Sequence, residues 1–448
     1  MQKHHNIIVI GGGTAGIMTA TQLFKQDPNL DIAIIEPAET HYYQPAWTLV
    51  GAGAYDMKKT ARPMSSVMPS KATWLKDFVT GFEPEKNQIT TKKNGDLSYD
   101  FLVVAPGLVM DTTLIPGLTE ALDKGVACSN YINPEYTWEV LKKFKGGNAI
   151  FTQPTTPIKC GGAPQKIAYL AADYWRQNGV DKKTNVVFAT PGSVIFGVKE
   201  IAKTLMEVIK RYNIKFKPHY APVKIDVDQK LIHFKYVGPG ENLCVINEDH
   251  ALQEKMLEGS QFSMPFDMLH IAPPQRTPDF VYHSVLVNEA KWLDVDHGTM
   301  QHKKFANIFG LGDVAGLPTA KTGAAIRKQT PIVVENILRL KAKKELSPEI
   351  YNGYSSCPLL TGYGKMVLAE FDYKNNFIPD PKLKQMLVFD SSKESWRLWL
   401  LKKYMLPHLY WTKMDVFIIF WCRTFVEKCG IFLLNKSRTV AFIFQFYF

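Results

Sequence analysis

Asn6-Ile7-Ile8-Val9-Ile10-Gly11-Gly12-Gly13-Thr14-Ala15-Gly16 sets the architecture of this chain. A short β-branched run ending directly in glycine predicts a buried parallel strand. Gly11, Gly13 and Gly16 let the backbone turn tightly and approach a pyrophosphate at the start of the helix that Thr14 and Ala15 open. Asp31-Ile32-Ala33-Ile34-Ile35 predicts the second strand, so residues 6–36 form one strand-helix-strand unit. Glu36 then stands where a carboxylate accepts from ribose hydroxyls and repels a 2′-phosphate, which disfavours NADP and leaves FAD and NAD.

Working outward, Phe101-Leu102-Val103-Val104-Ala105 is a third apolar run that stops at Pro106-Gly107. A second alternation follows: a strand at 148–152, a helix from Gln165 to Gln177, a strand at 185–189 and a helix carrying Ile201, Leu205, Val208, Ile209 and Tyr212. In the first of these helices Ile167, Leu170, Ala171, Tyr174 and Trp175 make one apolar stripe, with Pro164 at its first turn. The expected fold class is α/β, with two Rossmann-like doubly wound domains, the second inserted into the first, and a C-terminal membrane-associating segment. The expected divisions are 1–118 with 290–350, 119–289, and 351–448.

The chain returns to the first domain at Asn307-Ile308-Phe309-Gly310-Leu311-Gly312-Asp313, with a helix expected from Gly323 to about Lys341. Gly310-Leu311-Gly312-Asp313 resembles the second FAD motif of flavoproteins with two dinucleotide domains, which implies FAD rather than NAD here and an Asp313 contact to the ribityl chain. After the strand ending at Thr152, where such proteins hold a nicotinamide dinucleotide, the chain reads Gln153-Pro154-Thr155-Thr156-Pro157-Ile158-Lys159-Cys160. That is a poor pyrophosphate cradle, so NADH is not the expected reductant. Cys160 precedes a Gly-Gly-Ala-Pro helix start and lies between Lys159 and Lys166, so a lowered thiol pKa is expected.

At 448 residues the chain is long enough for two or three domains, and 46% hydrophobic content is that of a globular enzyme. A net charge of +11 favours anionic partners, whether a small anionic substrate or acidic headgroups. The Lys and Arg residues are scattered, with no zinc spacing, RNA-binding aromatic motif or basic repeat, so neither nucleic acid nor a metal site is expected. The six cysteines, at 128, 160, 244, 357, 422 and 429, show no framework spacing, and no secretory signal or presequence is visible before Ile7, so the expectation is either that none exists or that the chain is a processed or truncated form. Cys128, Cys244, Cys422 and Cys429 are expected to be inert, with Cys128 conceivable as an auxiliary thiol.

Trp396, Trp399, Leu400, Tyr404, Leu406, Leu409, Tyr410 and Trp411, interleaved with Arg397, Lys402, Lys403 and Lys413, have the composition of an interfacial segment. Val416 to Trp421 continue the apolar run, but Arg423, Glu427 and Lys428 cut it short of a span. The expectation is a chain that lies on a membrane; a helix pair packed on the core is the alternative. Residues 435–448 receive no role.

The first fingerprint, Tyr43-Gln44-Pro45-Ala46-Trp47-Thr48-Leu49-Val50-Gly51, Lys159-Cys160-Gly161-Gly162-Ala163-Pro164-Gln165-Lys166, Leu317-Pro318-Thr319-Ala320-Lys321-Thr322 and Ser356-Cys357-Pro358-Leu359-Leu360-Thr361-Gly362-Tyr363 together resemble the mitochondrial, animal-like type of sulfide:quinone oxidoreductase. The resemblance runs from about residue 5 to about 420. It implies FAD contacts at Thr14, Ala15, Glu36, Gln44, Val79, Asp313, Lys321 and the stretch Gly323, Ala324, Ala325 and Ile326. It implies that Cys160 and Cys357 are a redox pair holding a bridging sulfur. Hydrosulfide would attack at Cys357, leaving a persulfide there and a sulfur anion on Cys160 that adds to the flavin. Sulfite, glutathione or cyanide would remove the sulfane sulfur, and ubiquinone would take the electrons. Lys159 and Lys166 are candidates for the positive charge that favours HS⁻ over H₂S. The implied location is the mitochondrial inner membrane, peripherally, with a bacterial inner-membrane surface as the alternative, and a homodimer is left open. Two rivals stay open: a type II NADH:quinone reductase, and a flavin-binding redox-signalling protein without sulfur turnover.

Overall fold

The computed structural model describes residues 3–239 and 248–413. Cys244, Cys422, Cys429, the run Val416 to Trp421 and residues 435–448 lie outside the described residues.

The opening strand β1 (His4–Ile10) runs into α1 (Thr14–Gln26) and returns as β2 (Ile32–Ile35). β1 pairs in parallel with β2 in the register Ile7 to Ile32 and Ile10 to Ile35. β3 (Thr73–Leu75) extends this edge, while β4 (Val79–Glu83) and β5 (Gln88–Thr91) form a hairpin. β6 (Gly95–Val104) joins the two parts: its first residues pair antiparallel with β5, and its last pair in parallel with β1 and with a late strand at Ile308–Gly310. Because successive strand residues point to opposite faces, Ile7 and Val9 pack on α1 and the long helix after the late strand, whereas Ile8 and Ile10 face a layer containing Leu293, Val295 and Val314. Burial on both faces explains the unbroken apolar run.

The second alternation builds a five-stranded parallel sheet from β7 (Ala127–Cys128), β8 (Gly147–Thr152), β9 (Thr184–Thr190), β10 (Lys215–Pro218) and a strand at Met268–His270. Its helices are α2 (Ala163–Gln177) and α3 (Lys199–Arg211). Ile167, Leu170, Ala171 and Trp175 are buried as the stripe requires. A four-stranded antiparallel sheet, β11 (Tyr220–Asp226), β12 (Leu231–Tyr236), β13 (Lys255–Leu257) and β14 (Gln261–Pro265), was not expected from the sequence. β15 (Met268–His270) completes the five-stranded sheet, and with β16 (Ile308–Gly310) the chain returns to the first sheet and enters α4 (Gly323–Lys341), capped by the Thr322 hydroxyl.

The last segment opens on two strands that the sequence did not reveal. β17 (Ser355–Gly362) and β18 (Lys365–Phe371) form a hairpin that packs on α2 and carries Cys357, paired with Ala369. Then come α5 (Trp396–Leu400), a single π turn at Leu401–Met405 and α6 (Leu406–Lys413).

Candidate active site

Two elements distant in sequence bring the thiols together. Cys160 sits just before α2 in the left-handed region, at φ 50°, an uncommon conformation for a residue with a Cβ. Its N–H donates to Lys321 O at 2.9 Å, its carbonyl accepts from Ala163, and Tyr131 donates to the same carbonyl at 3.2 Å. Cys357 comes from β17, and its thiol is hydrogen-bonded to the Cys160 sulfur. Gly162 makes room: a Cβ there would lie 2.7 Å from Cys357 Sγ.

Lys166, the second full residue of the turn after Pro164, is buried at 2% exposure, and its Nζ donates to Cys160 Sγ at 3.0 Å. Side chains on a helix lean toward its N-terminus, which turns Lys166 back to the thiol. The hydrogen bond from Cys357 and the Lys166 ammonium hold the Cys160 thiol well below its ordinary range, against burial. Cys357 is pushed well above that range by the same hydrogen bond and by burial. Burial opposes the Lys166 charge, but the two sulfurs raise it to about 12. The arrangement is therefore a thiolate accepting from a thiol and an ammonium.

Lys402 is the residue the sequence reading misplaced. Expected on a membrane face, it is 3% exposed in the π turn, and burial together with Lys166 pushes its ammonium down to about 7. It is within electrostatic reach of both cysteines and 6.0 Å from the Tyr43 ring. Trp399 and Tyr410 are also buried, whereas Trp396 and Tyr404 are more than half exposed, so the packed-helix alternative holds for the inward face only. Cys128 is buried, and burial pushes its thiol up to about 12, which fits an inert residue.

Lys159 turns the other way: its ammonium donates to Gln44 and faces Asp313. Burial lowers Lys159 and raises the Asp313 carboxyl, which Lys159 and Lys321 partly restrain. Lys321 Nζ donates to Ala315 O at 2.7 Å and lies 4.0 Å from the Trp292 ring; burial pushes it down to about 8.

The residues at the fingerprint fit a dinucleotide. Gly16 could not carry a Cβ against Gly11 O, and a Cβ on Gly12 would lie 2.7 Å from Glu36 Cγ, yet Gly13 and Gly323 face open space. Glu36 accepts from Gly12 N–H at 2.7 Å and Ala38 N–H at 2.8 Å, leaving half of its lone-pair sites for ribose hydroxyls. Gly312, Ala315, Lys321, Thr322, Ala325 and Gln329 line a small hollow at the start of α4. Val79 and Ile326 are buried, Gln44 and Gly323 exposed, and Ala324 half-buried.

The model of the pyridine nucleotide-disulphide oxidoreductase family matches residues 5–329. The mitochondrial sulfide:quinone oxidoreductase of Mus musculus is 39% identical over 416 residues, 92% of this chain and 87% of that protein. That of Dictyostelium discoideum is 40% identical over 415 residues, 91% of this chain and 85% of its own length. The chain belongs to the sulfide:quinone oxidoreductase family. The crystallised sulfide:quinone oxidoreductase of Aquifex aeolicus has the same fold, with a TM-score of 0.71 at 18% identity, covering 92% of this chain and 91% of that one. Members of this family are flavin-dependent oxidoreductases, and these mitochondrial relatives align over 92% and 91% of the chain. No described helix is long and apolar enough to cross a membrane.

Proposed function

We propose that this sulfide:quinone oxidoreductase works through Cys160 and Cys357, with FAD held by Gly11, Gly13, Thr14, Ala15, Gly16, Glu36, Gln44, Val79, Asp313, Lys321 and the start of α4. The proposed divisions are a FAD domain at 1–118 and 290–350, a second Rossmann-like domain at 119–289, and a C-terminal segment at 351–448. The observation that carries the reading is the hydrogen bond of 3.0 Å from Lys166 Nζ to Cys160 Sγ, with the Cys357 sulfur beside the same atom. FAD, when bound, supplies the two-electron acceptor that passes the pair to ubiquinone.

The positive field of Lys166 and Lys402 draws hydrosulfide to the pair. Starting from the sulfur-bridged pair, hydrosulfide attacks Cys357 Sγ, the bond from that sulfur to the bridging sulfur breaks, and its electrons stay on the sulfur attached to Cys160. Lys166 stabilises that anion, as a stabilised thiolate is also a good leaving group. A small acceptor such as glutathione or sulfite removes the terminal sulfur from Cys357. Rejoining of the Cys357 thiolate to the anion restores the bridge and releases two electrons. Exposed Trp396 and Tyr404, with Arg397 and Lys403, are proposed to rest on the inner mitochondrial membrane. Cys160→Ser and Cys357→Ser should each retain flavin and lose sulfide-dependent quinone reduction; full activity in both overturns the mechanism.

A further inference from the structure

The last described helix reaches back across most of the sequence to the glycine turn. Tyr410, on α6, is buried, and its phenol oxygen lies 2.7 Å from Thr14 Oγ1 and 2.6 Å from His41 Nε2. His41 Nδ1 lies 3.1 Å from Gly12 O. A carbonyl oxygen only accepts, so Nδ1 carries the hydrogen and donates to Gly12. Burial pushes the His41 imidazolium down, so the ring is neutral and Nε2 accepts. Tyr410 therefore donates to His41, and its oxygen accepts from the Thr14 hydroxyl. The relay from Thr14 through Tyr410 and His41 to Gly12 ties together the two residues that flank Gly13, whose absent Cβ faces open space. The phenol is held from the side by Tyr43, at 4.6 Å between ring centroids, and by Trp411, at 5.0 Å.

We propose that Tyr410 is a positioning residue for the dinucleotide: α6 straps the glycine turn from the outside and fixes the direction of its backbone N–H groups, slowing departure of the cofactor. Tyr410 touches no reacting atom, and the Thr14 hydroxyl, spent on Tyr410, leaves the cradle to backbone donors. The inference rests on the FAD reading above and adds that cofactor retention depends on the C-terminal segment, the same segment proposed to meet the membrane.

The test is the rate of FAD release from the purified full-length holoprotein, followed by the rise in free-flavin fluorescence. Tyr410→Phe keeps the ring and removes only the hydroxyl; losing the two hydrogen bonds it makes should speed release about tenfold. Thr14→Val should behave alike and Thr14→Ser should restore retention. The double variant Tyr410→Phe with Thr14→Val should release no faster than the faster single one, which a general loosening of the fold would not produce. Release from Tyr410→Phe at the wild-type rate, or additive effects in the double variant, overturns the proposal. A wild-type protein that purifies without flavin absorbance and binds none on addition of FAD refutes the FAD reading instead.

Discussion

Replacing Lys166 by Met keeps the length and apolar stem of the side chain and removes the ammonium 3.0 Å from Cys160 Sγ. Two unit charges at that distance interact by roughly 5.5 kcal/mol at an effective dielectric of about 20. Lys402 and the hydrogen bond from Cys357 both remain, and water admitted to the site screens part of the loss, so only part of that energy is lost and the Cys160 thiol is held down less strongly. The assay is the pH dependence of iodoacetamide alkylation of the reduced protein, with Cys160 followed by peptide mass spectrometry. The inflection in Lys166→Met should lie at higher pH than in the wild type, and alkylation below it should slow at least about tenfold, equivalent to about 1.4 kcal/mol of the lost energy. The same pair sets a stability window. Cys160 is lowered on folding, so its contribution is full above about 8.5 and lost as pH falls through the folded value; Lys166 is raised, so its contribution is full below about 10.4 and lost toward about 12. The gap in melting temperature between wild type and variant should therefore be widest between about pH 8.5 and 10.4. An unmoved alkylation profile would show that Lys166 does not hold the thiolate.

Lys402 carries the opposite sign: its folded value is lowered to about 7, so burying its charge costs stability below that pH and the cost fades as pH rises toward about 10.4. Lys402→Met should raise the melting temperature, most at or below neutral pH, while lowering sulfide turnover; a variant that melts lower at pH 6 contradicts this. Gly162→Ala would put a Cβ 2.7 Å from Cys357 Sγ and 2.5 Å from Leu359 Cδ2, so sulfide oxidation should fall at least about tenfold with flavin content unchanged. Arg211 holds Glu394 with two hydrogen bonds, at 2.6 and 2.7 Å, fastening the segment before α5 to α3; Glu394→Gln should cost about 2 kcal/mol in denaturant melts.

The first sheet was legible because β1, β2 and the end of β6 are short apolar runs with glycine or proline at their ends, and the fingerprint names its own helix. The helix α2 was legible from its stripe and Pro164. The antiparallel sheet was not, because strands such as Tyr220–Asp226 and Leu231–Tyr236 carry lysine, aspartate and histidine on their outer faces and so lack an unbroken apolar run. Cys357 was singled out by a family string, but its strand was hidden: Pro358 argues against a strand, and near-complete burial erases the alternation that would reveal one. Lys159 and Lys166 flank Cys160 alike in sequence; only the helix direction tells them apart. An aromatic and basic composition at 396–411 suits a lipid surface as well as an inward latch, so Lys402 and Tyr410 could be placed only by their burial.

The central claim is that two cysteines, one thiolate and one thiol, carry electrons from sulfide to the flavin. Anaerobic titration of the holoprotein with sulfide, followed by decylubiquinone, tests it directly through the flavin absorbance. The account predicts bleaching by sulfide and recovery with quinone in the wild type, and no bleaching by sulfide in Cys160→Ser or Cys357→Ser. Bleaching by NADH with none by sulfide, or bleaching by sulfide that survives both substitutions, would contradict it.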